Sequence, residues 1–122
     1  MSMTRPVFNF DNISRSRDGD ALYCSCVVAA DMPFFSGHFP GMPIMPAVAQ
    51  IEMIRALLQL QADWSTVIAG GSGIKFTGRI QPGDTLTIRL QRTPSGEISF
   101  IVKNNATVAS KGILQLAGGA LV

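Results

Sequence analysis

Between Phe34 and Pro46 the chain carries three prolines, Pro40, Pro43 and Pro46, each three residues from the next. Every proline fixes its own φ and pushes the residue before it out of the helical region, so a stiff, extended loop is expected here. The fifteen residues that follow, Ala47 to Gln61, contain neither Gly nor Pro and are rich in Ala, Leu, Met, Gln and Glu. A helix therefore begins where the loop ends, and Pro46 suits its first position, where a missing N–H costs nothing. That helix is apolar on nearly every side, from Val48 and Ile51 through Ile54 and Leu57 to Leu60, which predicts that it is buried. Glu52, Arg55 and Gln59 share one narrow polar stripe beside Val48, and Gln50 and Gln61 lie roughly opposite, because successive helical residues are rotated by about 100°.

The rest of the chain reads as strands. Pro6 to Ile13 and Ala21 to Ala30 flank the turn signal Arg17-Asp18-Gly19-Asp20 and form a hairpin. Ser65 to Phe76, Thr85 to Arg92, Glu97 to Asn104 and Thr107 to Leu116 follow, separated by Pro82-Gly83-Asp84, Pro94-Ser95-Gly96 and Asn104-Asn105. Leu86, Ile88 and Leu90 alternate with Thr85, Thr87 and Arg89, so one face of that strand is buried. The economical architecture is α+β, one long central helix wrapped by a curved antiparallel sheet of about six strands, in a single domain over residues 1–122.

Composition narrows the function. With 47% hydrophobic and only 15% charged residues the chain is no disordered tail. So little polar material covers a small surface poorly, which points to apolar surface hidden in an oligomer. A net charge of +2 with scattered Lys and Arg does not describe a nucleic-acid binder. No leader-like apolar segment and no membrane span is expected. Cys24 and Cys26 lie on one face of a strand, and a single histidine leaves no metal-ligand set around them. They read as two small buried hydrophobes of a cytoplasmic protein.

Chemistry has few carriers. His38 titrates near neutrality and sits on a proline-stiffened backbone, which suits a general base; a loop histidine bonded to a backbone carbonyl is the plainer reading. Glu52, on an apolar helix, is either a carboxyl held protonated by burial or the partner of Arg55 in an i,i+3 ion pair. Ala47 and Val48 lie in the first helical turn, whose free N–H groups favour an anion or a polarised carbonyl oxygen.

The run Phe35-Ser36-Gly37-His38-Phe39-Pro40-Gly41-Met42-Pro43-Ile44-Met45-Pro46, with Val48 and Glu52, resembles the signature of FabZ/FabA-type 3-hydroxyacyl-ACP dehydratases. In that signature an acidic residue follows the histidine by fourteen positions, as Glu52 follows His38. Lys75-Phe76 and Pro82-Gly83-Asp84 resemble the family's later segment, and the likeness runs from about Phe8 to Leu116. The run from Pro46 to Glu52 is most similar to short accessory dehydratases of aryl-polyene-like pathways.

The resemblance implies a hotdog fold, a homodimer or higher homo-oligomer, and a substrate carried on the phosphopantetheine of an acyl carrier protein, with no other cofactor. It implies that His38 removes the C2 proton and that Glu52 of the other subunit protonates the leaving 3-hydroxyl. It further implies that the Ala47 N–H holds the thioester oxygen and that Phe39, Gly41 and Val48 contact substrate. Two departures stand out: Ala47 replaces the usual glycine, and Arg55 stands one turn from the acid. A hotdog thioesterase and a non-catalytic carrier-binding subunit are the alternatives. Arg55, Lys75, Arg79, Arg89 and Arg92 are candidate contacts for an acidic carrier, and each alone reads equally as surface solvation.

Overall fold

The segment Thr85–Arg92 (β4) shows how the sheet is built. Leu86, Ile88 and Leu90 are buried on one side, while Thr85, Thr87 and Arg89 are exposed on the other. The flanking strands repeat this alternation because strands bonded in register put partner side chains on the same face. In the computed structural model the described residues are 7–35, 44–61, 64 and 67–117. They form β1 (Phe10–Arg15), β2 (Ala21–Val27), α1 (Ala47–Gln59), β3 (Ile68–Phe76), β4, β5 (Glu97–Asn104) and β6 (Thr107–Leu116).

All six strands make one antiparallel sheet in the order β1-β2-β4-β5-β6-β3. Ser110, Val102, Ile88 and Cys24 form one buried register row; Phe100, Leu90 and Leu22 form the next, ending at half-buried Gly112. The core-facing side of α1, including Met53, Ile54, Leu57 and Leu58, joins these rows in one hydrophobic cluster. This is the helix-on-antiparallel-sheet architecture expected from the sequence. Among the described residues no helix is long and apolar enough to cross a membrane.

Element ends differ in instructive ways. β1 starts at Phe10 and runs to Arg15, and β3 starts at Ile68 rather than Ser65. β2 stops at Val27, where Val28 instead bonds the 79–84 segment through Asp84. Pro33–Phe35 form a 3-10 turn, so the expected non-helical stretch does not hold for Phe34 and Phe35; the prolines that forbid helix lie further along the sequence. Pro46 is the N-cap (φ −70, ψ 158) and not the first helical residue, and α1 ends at Gln59. At the hairpin turn Asp18 accepts hydrogen bonds from the Ser16 hydroxyl and the Asp20 N–H, which lower its carboxyl pKa.

One expectation about α1 is corrected. The helix is not enclosed: Val48 is 70% exposed and Leu60 60%, because a single sheet covers only one of its faces. The far end of α1 is pinned by Trp64, which is buried with the guanidinium groups of Arg15 and Arg92 each 5.0 Å from its ring. Arg92 also pairs with Asp20 at 2.9 Å, tying this end to the β1–β2 hairpin.

Cys24 and Cys26 are free, buried thiols, as expected. Burial raises their pKa to about 12 and about 11. A thiol whose pKa is raised by folding keeps more protons in the folded state, so its contribution is intact below pH 9 and is lost as pH rises towards the folded value. The thermal midpoint should therefore fall steadily above pH 9, and the Cys24→Ala/Cys26→Ala chain should show a flatter alkaline limb in the same melts.

Gly78 marks a close approach. Its N–H and that of Thr77 both donate to the Ala109 carbonyl, and a Cβ on Gly78 would lie 2.9 Å from the Ala109 Cα and 3.1 Å from the Val108 oxygen. Backbone atoms cannot swing aside, so Gly78→Ala should destabilise the fold by about 1–3 kcal/mol in denaturant unfolding.

Candidate active site

Ala47 and Val48 open α1 with no side chain capping them. The Pro46 carbonyl is taken by the N–H groups of Ala49 and Gln50, so the Ala47 and Val48 amides have no intrahelical acceptor. Both residues are exposed. Pro46 is held in place from the preceding residue, whose N–H (Met45) donates to the Ile80 carbonyl at 2.8 Å.

One turn further on, Glu52 lies on the exposed face of the helix. Arg55 donates to its Oε2 from Nη2 at 2.6 Å and from Nε at 3.3 Å, and the two side chains are 50% and 45% exposed. Of the two readings of Glu52, this single chain adopts the i,i+3 ion pair. Both contacts fall on one oxygen, which leaves Oε1 without a partner among the described residues.

Clefts flank this ridge on both sides. One, of about 360 Å³, runs between the helix and the approach to β1, with Phe8, Phe10, Ala56 and Leu60 on its walls; the Phe8 and Phe10 rings stack at 6.3 Å. The other, of about 500 Å³, lies towards β3 between Ile51, Gln59, Val67 and Ile68. Glu52, Arg55 and Gln59 line both. The ridge thus presents one carboxylate oxygen between two walls of mostly apolar side chains. Sequence reading found the ridge but not the walls, because Val67 and Phe8 belong to separate segments that only folding brings alongside it.

His38, Phe39 and Gly41 lie outside the described residues. Of the proposed carrier contacts, Arg92 is committed to Asp20 and Trp64, Arg55 to Glu52, and Arg89 sits over the Tyr23 ring at 5.9 Å. Lys75 is paired in register with Lys111 across the β3–β6 ladder, and Arg79 lines a separate cleft of about 290 Å³ with Asn104 and Thr107. Gln50 is a surprise: it is 2% exposed and its Oε1 has no partner among the described residues. Its position opposite the polar stripe already pointed inward.

Known proteins resemble this chain in sequence and in fold. The curated relatives include 3-hydroxyacyl-[acyl-carrier-protein] dehydratases FabZ. That of Levilactobacillus brevis is 30% identical over 113 residues, covering 87% of this chain and 76% of the relative. That of Chloroflexus aggregans is 37% identical over 93 residues, covering 70% and 65%. Among solved structures, the dehydratase heterocomplex ApeI:P from Xenorhabdus doucetiae superposes with a TM-score of 0.73 at 23% identity, covering 93% of this chain and 98% of that one. The dehydratase domain from the CurJ module of curacin polyketide synthase gives 0.64 at 17% identity, over 88% of this chain and 41% of that one. These likenesses establish the hotdog fold. The family model described as ApeI-like, ApeI dehydratase, matches residues 14–113, and the chain belongs to that dehydratase family.

Proposed function

We propose that this chain dehydrates (3R)-3-hydroxyacyl thioesters, carried on the phosphopantetheine of an acyl carrier protein, to trans-2-enoyl thioesters. The observation that carries the reading is Glu52: a carboxyl with one oxygen open among the described residues, between two clefts and one turn from helix amides that have no intrahelical acceptor. Elimination needs a base at C2 and an acid at the 3-hydroxyl. His38 takes the C2 proton, the C2–H electron pair becomes the double bond, and Glu52 gives its proton to the departing hydroxyl, which leaves as water. The Ala47 N–H stabilises the charge that builds on the thioester oxygen. Phe39, Gly41 and Val48 line the acyl path.

The working unit in this reading is a homodimer in the cytoplasm. β3 is an edge strand whose Ala69–Gly73 stretch is exposed throughout. Val48, Leu60 and Val67 are exposed at 70%, 60% and 58%. An open edge beside apolar side chains is a surface for a second copy of the chain. In such a pair the subunits share the site, His38 from one facing Glu52 of the other.

The Arg55–Glu52 contact also favours a second reading, a carrier-binding subunit without turnover, because Arg55 occupies the Glu52 Oε2 from both Nε and Nη2. One assay separates the two. Purified chain is given (3R)-3-hydroxyacyl-ACP, and enoyl absorbance is followed beside free thiol. Enoyl formation without thiol release is expected; thiol release would mark a thioesterase, and silence with ACP still bound would mark the binding subunit.

A further inference from the structure

The Pro82-Gly83-Asp84 turn has no part in the chemistry above, yet Asp84 holds Gln81, the neighbour of the residue whose carbonyl binds the Met45 N–H just before the helix. Gly83, with φ +92 in the left-handed region that favours glycine, lets the turn close, and its N–H donates to the Val28 carbonyl at 2.7 Å. The backbone of Asp84 then extends the β2–β4 ladder, its carbonyl accepting from the Val28 N–H at 2.8 Å. The ladder therefore makes no demand on the Asp84 side chain.

That side chain faces the 79–81 segment instead. Asp84 Oδ2 accepts from the Gln81 N–H at 2.8 Å and from Asn104 Nδ2 at 2.7 Å. The same Asn104 amide donates to the Arg79 carbonyl at 3.1 Å. Arg79 and Gln81 are thus held from both sides, and the residue between them, Ile80, is fully buried and offers its carbonyl to the Met45 N–H. Asn104 Oδ1 is buried without a donor among the described residues, so the amide is turned towards its two donor bonds at a net cost.

We propose that Asp84 and Asn104 are positioning residues for the dehydration: they form a bracket that fixes Ile80, and through the Ile80–Met45 hydrogen bond set where Ala47 and Val48 present their free amides. The step from bracket to catalysis rests on the function proposed above; the bracket itself does not. A misplaced donor weakens the transition state more than the bound substrate, so the signature is a fall in kcat with KM held.

The experiment compares Asp84→Leu, Asp84→Asn and Asn104→Leu with the parent, reading amide exchange at Met45 by NMR together with kcat and KM. Asp84→Leu keeps the approximate shape and removes the acceptor, whereas Asp84→Asn keeps a carbonyl oxygen that can take both donors. The expectation for Asp84→Leu and Asn104→Leu is faster Met45 exchange by about tenfold or more, with amides of Leu90 and Val102 unchanged, and kcat down by about tenfold at nearly constant KM. Asp84→Asn should restore most of both. If Asp84→Leu does not fold, Asn104→Leu decides. Unchanged Met45 exchange in a folded variant, or exchange rising equally at every amide, overturns the bracket. Altered Met45 exchange with unchanged kcat overturns its link to catalysis, and a parent that forms no enoyl product overturns the function while the exchange arm still judges the bracket.

Discussion

Glu52→Gln should lower kcat for dehydration by roughly 10²- to 10⁴-fold, the range expected when a positioned general acid loses its proton. Glutamine keeps the length of the side chain, and its carbonyl oxygen can still accept from Arg55, whose Nη2 now lies 2.6 Å from Oε2. Folding should be unaffected, because the residue is half exposed on the helix surface and outside the core cluster. The comparison with Glu52→Asp adds geometry: it keeps an acidic proton but withdraws it by one methylene, so a smaller loss is expected. Steady-state kinetics from enoyl absorbance, with thermal melts run in parallel, check both. A Glu52→Gln chain of parental activity would remove Glu52 from the reaction and with it the main support for the proposed chemistry.

Subunit exchange gives the second large effect. His38→Ala and Glu52→Gln chains should each be nearly inactive as homodimers. Mixed under conditions that let subunits exchange, they should recover about a quarter of parental activity, since half of the dimers in a random mixture are mixed and each of those has one intact site. Were His38 and Glu52 to act within one subunit, every site in the mixture would lack one residue and no activity would return. The exposed β3 edge and the uncovered apolar ridge of α1 are the physical grounds for expecting the shared arrangement.

Much of the architecture follows from local rules. β4, β5 and β6 occupy the ranges that alternation and turn residues predict, because a strand with one buried face must alternate and Pro-Gly-Asp, Pro-Ser-Gly and Asn-Asn break the pattern on either side. The start of α1 is equally local, since Pro46 cannot continue a helix backwards and Ala47 onward favours one. The candidate acid was visible for the same reason: Glu52 is the one carboxylate in an apolar helix, and its spacing from His38 matches a known signature.

Other features depend on residues far apart in the chain. Hydrophobicity alone could not say that α1 would keep Val48 and Leu60 in the open, because burial is set by how many layers cover a helix, and here one sheet covers one side. Nor could it choose between the two roles of Glu52. The choice depends on whether Arg55 or an apolar wall lies nearer, and Val67 and Phe8 meet the helix only after the sheet has assembled. The bracket of Asp84, Asn104, Ile80 and Met45 joins three separate segments by hydrogen bonds with no periodicity to betray them. Propensity, patterning and turn chemistry act within a few residues and so can be read along the chain; solvent exposure and long-range hydrogen bonds arise from the packing of whole elements and exist only once the chain has folded.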